Sequence, residues 1–190
     1  MSIRISAGKY KGAVLESPPS ARPTLSRSRQ ALFDILESLS PNRRLGQFFK
    51  EKKIIDCFAG SGALGIEALS RGASFAFFID IDKKAIDTIY KNVKSLNLEL
   101  QCRIMKGDAY KLKSSNKYRS EICDIAFLDP PYGKVSIIQT IEHLKSLGWL
   151  DFNSLLITEE DKHHTENFSH YNCIRKKEMG DSVFTILTMM

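Results

Sequence analysis

One hundred and ninety residues with 43% hydrophobic side chains suffice for about one domain with an ordinary core, which excludes a fibrous, collagen-like or largely disordered chain. The longest apolar stretches, 57–66 and 72–79, contain glycines and fall short of the ~20 residues that a membrane span needs. Twenty-eight Lys and Arg against 22 Asp and Glu leave a net charge of +6, and that excess is unevenly placed. Residues 1–53 carry eleven Lys and Arg against four acids, whereas 54–190 carry seventeen against eighteen. A segregated basic arm is the electrostatic footprint of a polyanion binder, so nucleic acid is the first expectation, and a merely basic surface or a phosphate-rich small ligand the alternatives.

No apolar run follows the basic N-terminus, Met1 to Gly12, that a translocation machinery would take for a signal peptide, and a cytoplasmic location is the default expectation. Cys57, Cys102, Cys123 and Cys173 form no CxxC pair and are expected as buried reduced thiols. His163 and His164 are neighbours that cannot share a face of a regular element, so no metal site is expected and both read as surface residues.

In chain order, residues 3–6 and 13–15 alternate around Gly8-Lys9-Tyr10-Lys11-Gly12, which predicts a hairpin with two lysines and an aromatic ring at its tip. Pro18, Pro19 and Pro23 break the chain; Thr24 or Ser26 can then cap a helix carrying Leu32, Ile35, Leu36 and Leu39 on one face. Arg27 and Arg29 in its first turns oppose the helix dipole, a placement suited to holding an anion. From Lys53 onward strands alternate with helices: strand 54–58, helix 63–71, strand 75–79, then a helix with Ile86, Ile89, Tyr90, Val93 and Leu96 inward. Strands at 102–105 and 122–128, a helix at 137–147 and a strand at 155–158 continue the pattern. Residues 171–176 and 183–188 read as a closing antiparallel hairpin around Glu178-Met179-Gly180-Asp181. This order predicts an α/β fold with a doubly wound, mostly parallel sheet.

Gly60-Ser61-Gly62-Ala63-Leu64-Gly65 is a GxGxxG sequence between a predicted strand and helix, with Asp80 twenty positions beyond its first glycine. Such a loop suits a dinucleotide, whose pyrophosphate lies at the helix N-terminus while the acid takes ribose hydroxyls. It equally suits S-adenosylmethionine, which has the ribose without the phosphates; Asp56 would then face the methionine ammonium, where it would sit poorly beside a pyrophosphate. Asp129-Pro130-Pro131-Tyr132 follows a predicted strand and so falls at the carboxyl edge of the sheet. There the Asp129 carboxylate and the Pro130 carbonyl can accept the two hydrogens of an exocyclic base amine, aiming its lone pair at an electrophilic methyl group, while Tyr132 stacks on the base. Asp108, in Gly107-Asp108-Ala109, is placed either to accept from an adenine amino group or to cap a helix.

These motifs, with Arg4 to Gly12 and Arg22-Pro23-Thr24 followed by Arg27, Arg29, Leu32 and Phe33, resemble the RsmD family of class I S-adenosylmethionine-dependent methyltransferases over nearly the whole chain. The family makes N2-methylguanosine in bacterial small-subunit ribosomal RNA. The resemblance implies a seven-stranded sheet, cofactor contacts at Gly60, Ser61, Gly62, Asp80 and Asp108, and catalysis at Asp129, Pro130, Pro131 and Tyr132. It also brings Thr24 and Arg22 near the methionine end of the cofactor. Asp80 stands where the family often has glutamate, and Tyr132 where phenylalanine is frequent; tyrosine is also usual in adenine-N6 methyltransferases, so the motif alone leaves guanine and adenine open.

The expectations are therefore a basic extension over residues 1–50, binding RNA through Lys9, Lys11, Arg22 and Arg27, and a methyltransferase domain over 51–190. The substrate is small-subunit ribosomal RNA or the assembled subunit, and the simplest oligomeric state is a monomer. The alternatives are an N6-adenine methyltransferase acting on DNA or RNA and a nicotinamide-dependent oxidoreductase.

Overall fold

The computed structural model describes residues 3–18, 26–40, 47–112, 121–131 and 135–190. Strands buried on both faces require continuous apolar runs rather than alternation, and the central strands have them: β3 (Lys53–Cys57), β4 (Phe75–Asp80) and β6 (Ile125–Leu128) are almost entirely buried. With β1 (Ile3–Arg4) and β2 (Val14–Leu15) forming a separate antiparallel pair, the main sheet has seven strands in the order β5-β4-β3-β6-β7-β9-β8. Its other members are β5 (Cys102–Lys106), β7 (Leu155–Asp161), β8 (Tyr171–Met179) and β9 (Ser182–Met189). Strands β3 to β7 run parallel, and β9 is antiparallel to both of its neighbours. The sheet is the doubly wound one expected.

Helices cover both faces because successive residues of each strand point oppositely. Ile54, Phe78 and Phe127 pack with α1 (Ser26–Ser38), α2 (Ala63–Ser70), α3 (Lys83–Ser95) and the N-terminal hairpin, whereas Ile55, Phe77 and Leu128 pack with α4 (Ile137–Ser146) and Trp149. Ile5 and Leu15 of the hairpin and Leu32, Phe33 and Leu36 of α1 are fully buried, so the described residues before 50 share one core with the sheet. No helix among the described residues is long and apolar enough to cross a membrane.

Several local expectations change. Tyr90 is 55% exposed at the margin of the α3 stripe, which is formed by Ile86, Ile89 and Val93. The fourth parallel strand begins at Ile125, not Ile122, because the Asp124 carboxylate bends the chain by accepting from the Lys53 N–H (2.8 Å) and Lys52 Nζ (2.8 Å). Strand β7 continues to Asp161, since β9 pairs with it along its whole length. The closing turn tightens to Gly180-Asp181, with Gly180 at φ +67°. All four cysteines are free, but Cys173 on the edge strand is exposed; burial pushes the Cys57 and Cys123 thiols up.

Candidate active site

Parallel register places the chemistry. Cys57 pairs with Ile79 on one side and Leu128 on the other, so Phe58, Asp80 and Asp129 leave the sheet at one level. Asp80 is paired with Lys106, which sets Asp108 just beyond the end of β5. The predicted residues Asp56, Gly60, Asp80, Asp108 and Asp129 thus come from the carboxyl ends of four adjacent strands, where folds of this kind hold their ligands.

The loop after β3 is a tight reversal in which Phe58, Gly60 and Gly62 take φ of 63°, 57° and 75°. A left-handed phenylalanine is uncommon, and it turns the chain back over the sheet. The glycines divide their work. A Cβ on Gly65 would come within 2.4 Å of Phe78 Cε1, so this glycine lets α2 lie close on β4. Gly60 faces open space instead: its Cβ would meet only Phe58 O, at 4.0 Å. That opening beside a backbone turn is a cradle for a ligand.

The three glycine amides of the loop are already engaged. Gly60 N–H donates to Asp80 Oδ2 (2.8 Å), Gly62 N–H to Ala59 O (2.7 Å) and Gly65 N–H to Asp56 Oδ2 (2.9 Å). Asp80 Oδ1 accepts in turn from Asp82 N–H at 2.8 Å, so this carboxylate shapes the turn while keeping further lone pairs for ribose hydroxyls. Asp56 is buried beneath the loop, and loss of solvent, reinforced by the charge of Asp80, pushes its carboxyl up to about 8. Ser61 is buried, its carbonyl accepting from Asn92 Nδ2 at 2.9 Å. Asp108 caps a single 3-10 turn, accepting from Tyr110 N–H at 3.1 Å; the capping role is observed, and the carboxylate remains half-buried at the edge of the site.

Asp129 is half-buried, Pro130 buried and Pro131 exposed, whereas Tyr132, Thr24 and Arg22 lie outside the described residues. Lys9, Lys11 and Arg27 are exposed. Tyr10 is half-buried against the core with Lys9 Nζ 5.1 Å from its ring, so the hairpin tip offers its lysines rather than its aromatic face. Arg29 is not an anion site: it is 3% exposed and donates to Arg4 O at 2.6 Å, and burial lowers its pKa.

Two features were absent from the sequence reading. Glu67 of α2 is fully buried and accepts from Ser6 N–H (2.8 Å), Ser6 Oγ (2.7 Å), Ala7 N–H (3.1 Å) and Arg71 Nε (2.9 Å), locking the basic hairpin to the helix that starts at the glycine loop. Ser70 completes the lock by accepting from Lys9 N–H (2.7 Å) and Tyr10 N–H (3.0 Å). Second, a cavity of about 320 Å³ opens beside Pro130, walled by Val135, Ile137, Glu159, Glu160 and Glu166. An acidic pair closing an otherwise buried strand was the signal available for it.

A seven-stranded sheet of this order, with a glycine turn after one central strand and an Asp-Pro-Pro turn after the next, is the fold of the class I methyltransferases. A family model described as conserved hypothetical protein 95 matches residues 3–188, and the chain belongs to this family, the RsmD family. Ribosomal RNA small subunit methyltransferase D of Buchnera aphidicola is 36% identical over 162 residues, covering 84% of this chain and 78% of that protein. Its Escherichia coli namesake is 33% identical over 161 residues, covering 84% and 75%. A solved Escherichia coli structure, yhhF, described as a methyltransferase, superposes with a TM-score of 0.78 at 29% identity, covering 100% of this chain and 98% of that one.

Proposed function

We propose that this protein transfers a methyl group from S-adenosylmethionine to the exocyclic N2 of a guanine in small-subunit ribosomal RNA. The observation that carries the reading is the arrival of Asp129-Pro130, Asp80 and the open side of Gly60 at one level of the sheet edge. S-adenosylmethionine supplies an already activated methyl group, so the protein's task is alignment more than activation. In this reading Gly60, Ser61 and Gly62 form the turn beside the cofactor, Asp80 takes the ribose, Asp108 the adenine amine and Asp56 the methionine ammonium. Asp129 and the Pro130 carbonyl accept the two hydrogens of the amine and fix its lone pair toward the methyl group. Tyr132 is the stacking residue and Thr24 closes the methionine end, both argued from sequence.

The engaged loop amides favour S-adenosylmethionine over a dinucleotide. A pyrophosphate at the start of α2 would need free N–H donors, and those of Gly60, Gly62 and Gly65 are committed within the protein, two of them to carboxyl groups. RNA as substrate is supported by the names of the relatives and by the exposed Lys9, Lys11 and Arg27, with Arg22 beside them in sequence. Residues 1–50 are thus the binding extension and 51–190 the catalytic part, although the two share a core. Asp129→Ala tests the assignment: turnover should be abolished while S-adenosylmethionine affinity, measured by calorimetry, stays within about threefold, because alignment of the amine rather than cofactor binding is removed. Surviving turnover would show that the amine is held elsewhere.

A further inference from the structure

The cavity beside Pro130 has a chemistry that the transfer step leaves unused. It lies between the carboxyl end of β7 and the first residue of α4, and three carboxyl side chains stand in its wall. Glu166 is occupied in capping α4, accepting from Ser136 Oγ (3.0 Å) and from the N–H groups of Ile137 (2.6 Å) and Ile138 (3.1 Å). Glu159 Oε1 accepts from Ser182 Oγ at 2.7 Å.

Glu160 differs. It is 3% exposed; its Oε1 accepts from Glu166 N–H at 2.6 Å, while its Oε2 is buried with no hydrogen-bond partner among the described residues. A buried carboxylate oxygen left in that condition gives up its hydration for nothing, which native proteins rarely tolerate without a functional reason. Burial, reinforced by the charge of Glu166, pushes this carboxyl above its ordinary range. A metal ion does not supply the answer: among the described residues no group of three His, Cys, Asp or Glu side chains is placed to hold one, and the neighbouring Glu166 and Glu159 are engaged with α4 and Ser182. A neutral N–H donor on a planar aromatic ring fits better, because Pro130, Val135 and Ile137 supply apolar wall for its faces and the volume is at the lower end of the ~300–1,000 Å³ typical of small-ligand sites.

Resting on the function proposed above, the geometry points to Glu160 as the specificity residue that accepts the N1–H of the target guanine. In guanine the N1–H is the immediate neighbour of the N2 amine on the Watson–Crick edge. When the Pro130 carbonyl takes the N2 hydrogen on the N1 side and Asp129 the other, the base turns its N1–H toward what stands next to Pro130. Adenine carries a lone pair at N1, which faces a carboxylate oxygen with repulsion. One residue thus both rewards guanine and rejects adenine, which the Asp-Pro-Pro turn alone does not do.

Glu160→Gln tests this cleanly, since the amide oxygen can keep the bond from Glu166 N–H while the NH₂ replaces the orphaned acceptor with donors. Dissociation constants of guanosine and of 2-aminopurine riboside, which keeps the amine but has a lone pair at N1, are measured by calorimetry with S-adenosylhomocysteine present. Wild-type protein should prefer guanosine by about tenfold or more, the effect of one hydrogen bond to a charged group, and E160Q should bring the two within about threefold of each other. Equal binding by the wild type, or an unchanged preference in a folded E160Q, overturns the assignment. If the wild type nevertheless methylates guanine N2 in small-subunit RNA, the proposed function stands without it; methyl label on adenine overturns both.

Discussion

The bond set around Glu67 makes the most exacting stability prediction. Two buried arginines, Arg29 and Arg71, are matched by two buried acids, Glu37 and Glu67, and Glu67 makes the shorter contact to Arg71, 2.9 Å against 3.7 Å for Glu37. Glu67→Ala removes four accepted hydrogen bonds at once and leaves the Arg71 guanidinium with the longer pairing, its bond to Ser6 Oγ (2.9 Å) and the Phe33 ring 4.9 Å away. Breaking a buried pair from one side costs about 3–5 kcal/mol, because an uncompensated charge stays behind. For a domain of this size each kcal/mol lowers the melting temperature by about 2–4 °C, so a fall of roughly 6–20 °C is expected in thermal denaturation. Hydrogen exchange adds a local signature: the amides of Ser6 and Ala7, whose acceptor is gone, should lose protection before those of β3. A fall under about 2 °C with Ser6 and Ala7 still protected would refute the view that this network holds the hairpin on α2.

Asp56 carries a pH signature. Its folded-state pKa of about 8 lies above its ordinary 3.8, so between those values the folded state keeps a proton that the unfolded state has lost. Stability should therefore fall as pH rises through that window and level off above it; urea titrations from pH 5 to 8.5 should show wild type losing stability relative to Asp56→Asn. Gly65→Ala and Gly60→Ala should separate packing from binding. The first forces a Cβ onto Phe78 and should cost about 1–3 kcal/mol. The second strains a φ of +57° beside open space and should weaken S-adenosylmethionine binding more than it lowers the melting temperature, both readable on one purified pair. Reversing Lys9 and Lys11 to glutamate should raise the KM for RNA and flatten the slope of log affinity against log salt by about 1–2; an unchanged slope would remove the hairpin from the RNA interface.

What could be read from the sequence was what is local. The glycine loop and Asp129 to Pro131 announce themselves because each breaks an apolar run, and a strand's end is a fixed place in a parallel sheet. Contacts between distant segments were not legible. Glu67 and Arg71 stand one turn apart on a helix, and nothing nearby in sequence shows that Ser6, some sixty positions earlier, closes over them. Arg29 read as an anion site because its acceptor, the carbonyl of Arg4, lies in another element. Glu160 was hidden for a similar reason: Glu-Glu-Asp after Leu-Leu-Ile-Thr suggests a chain leaving the sheet, and only pairing with β9 keeps it inside.

The most direct test of the account is the identity of the methylated nucleoside. Purified protein is incubated with methyl-labelled S-adenosylmethionine and small ribosomal subunits, or their RNA, from cells lacking this gene; the RNA is then digested and its nucleosides separated. Label is expected in N2-methylguanosine, and none when Asp129→Ala replaces the wild type. Label in N6-methyladenosine, or no transfer to either substrate by a protein that binds the cofactor, would contradict it.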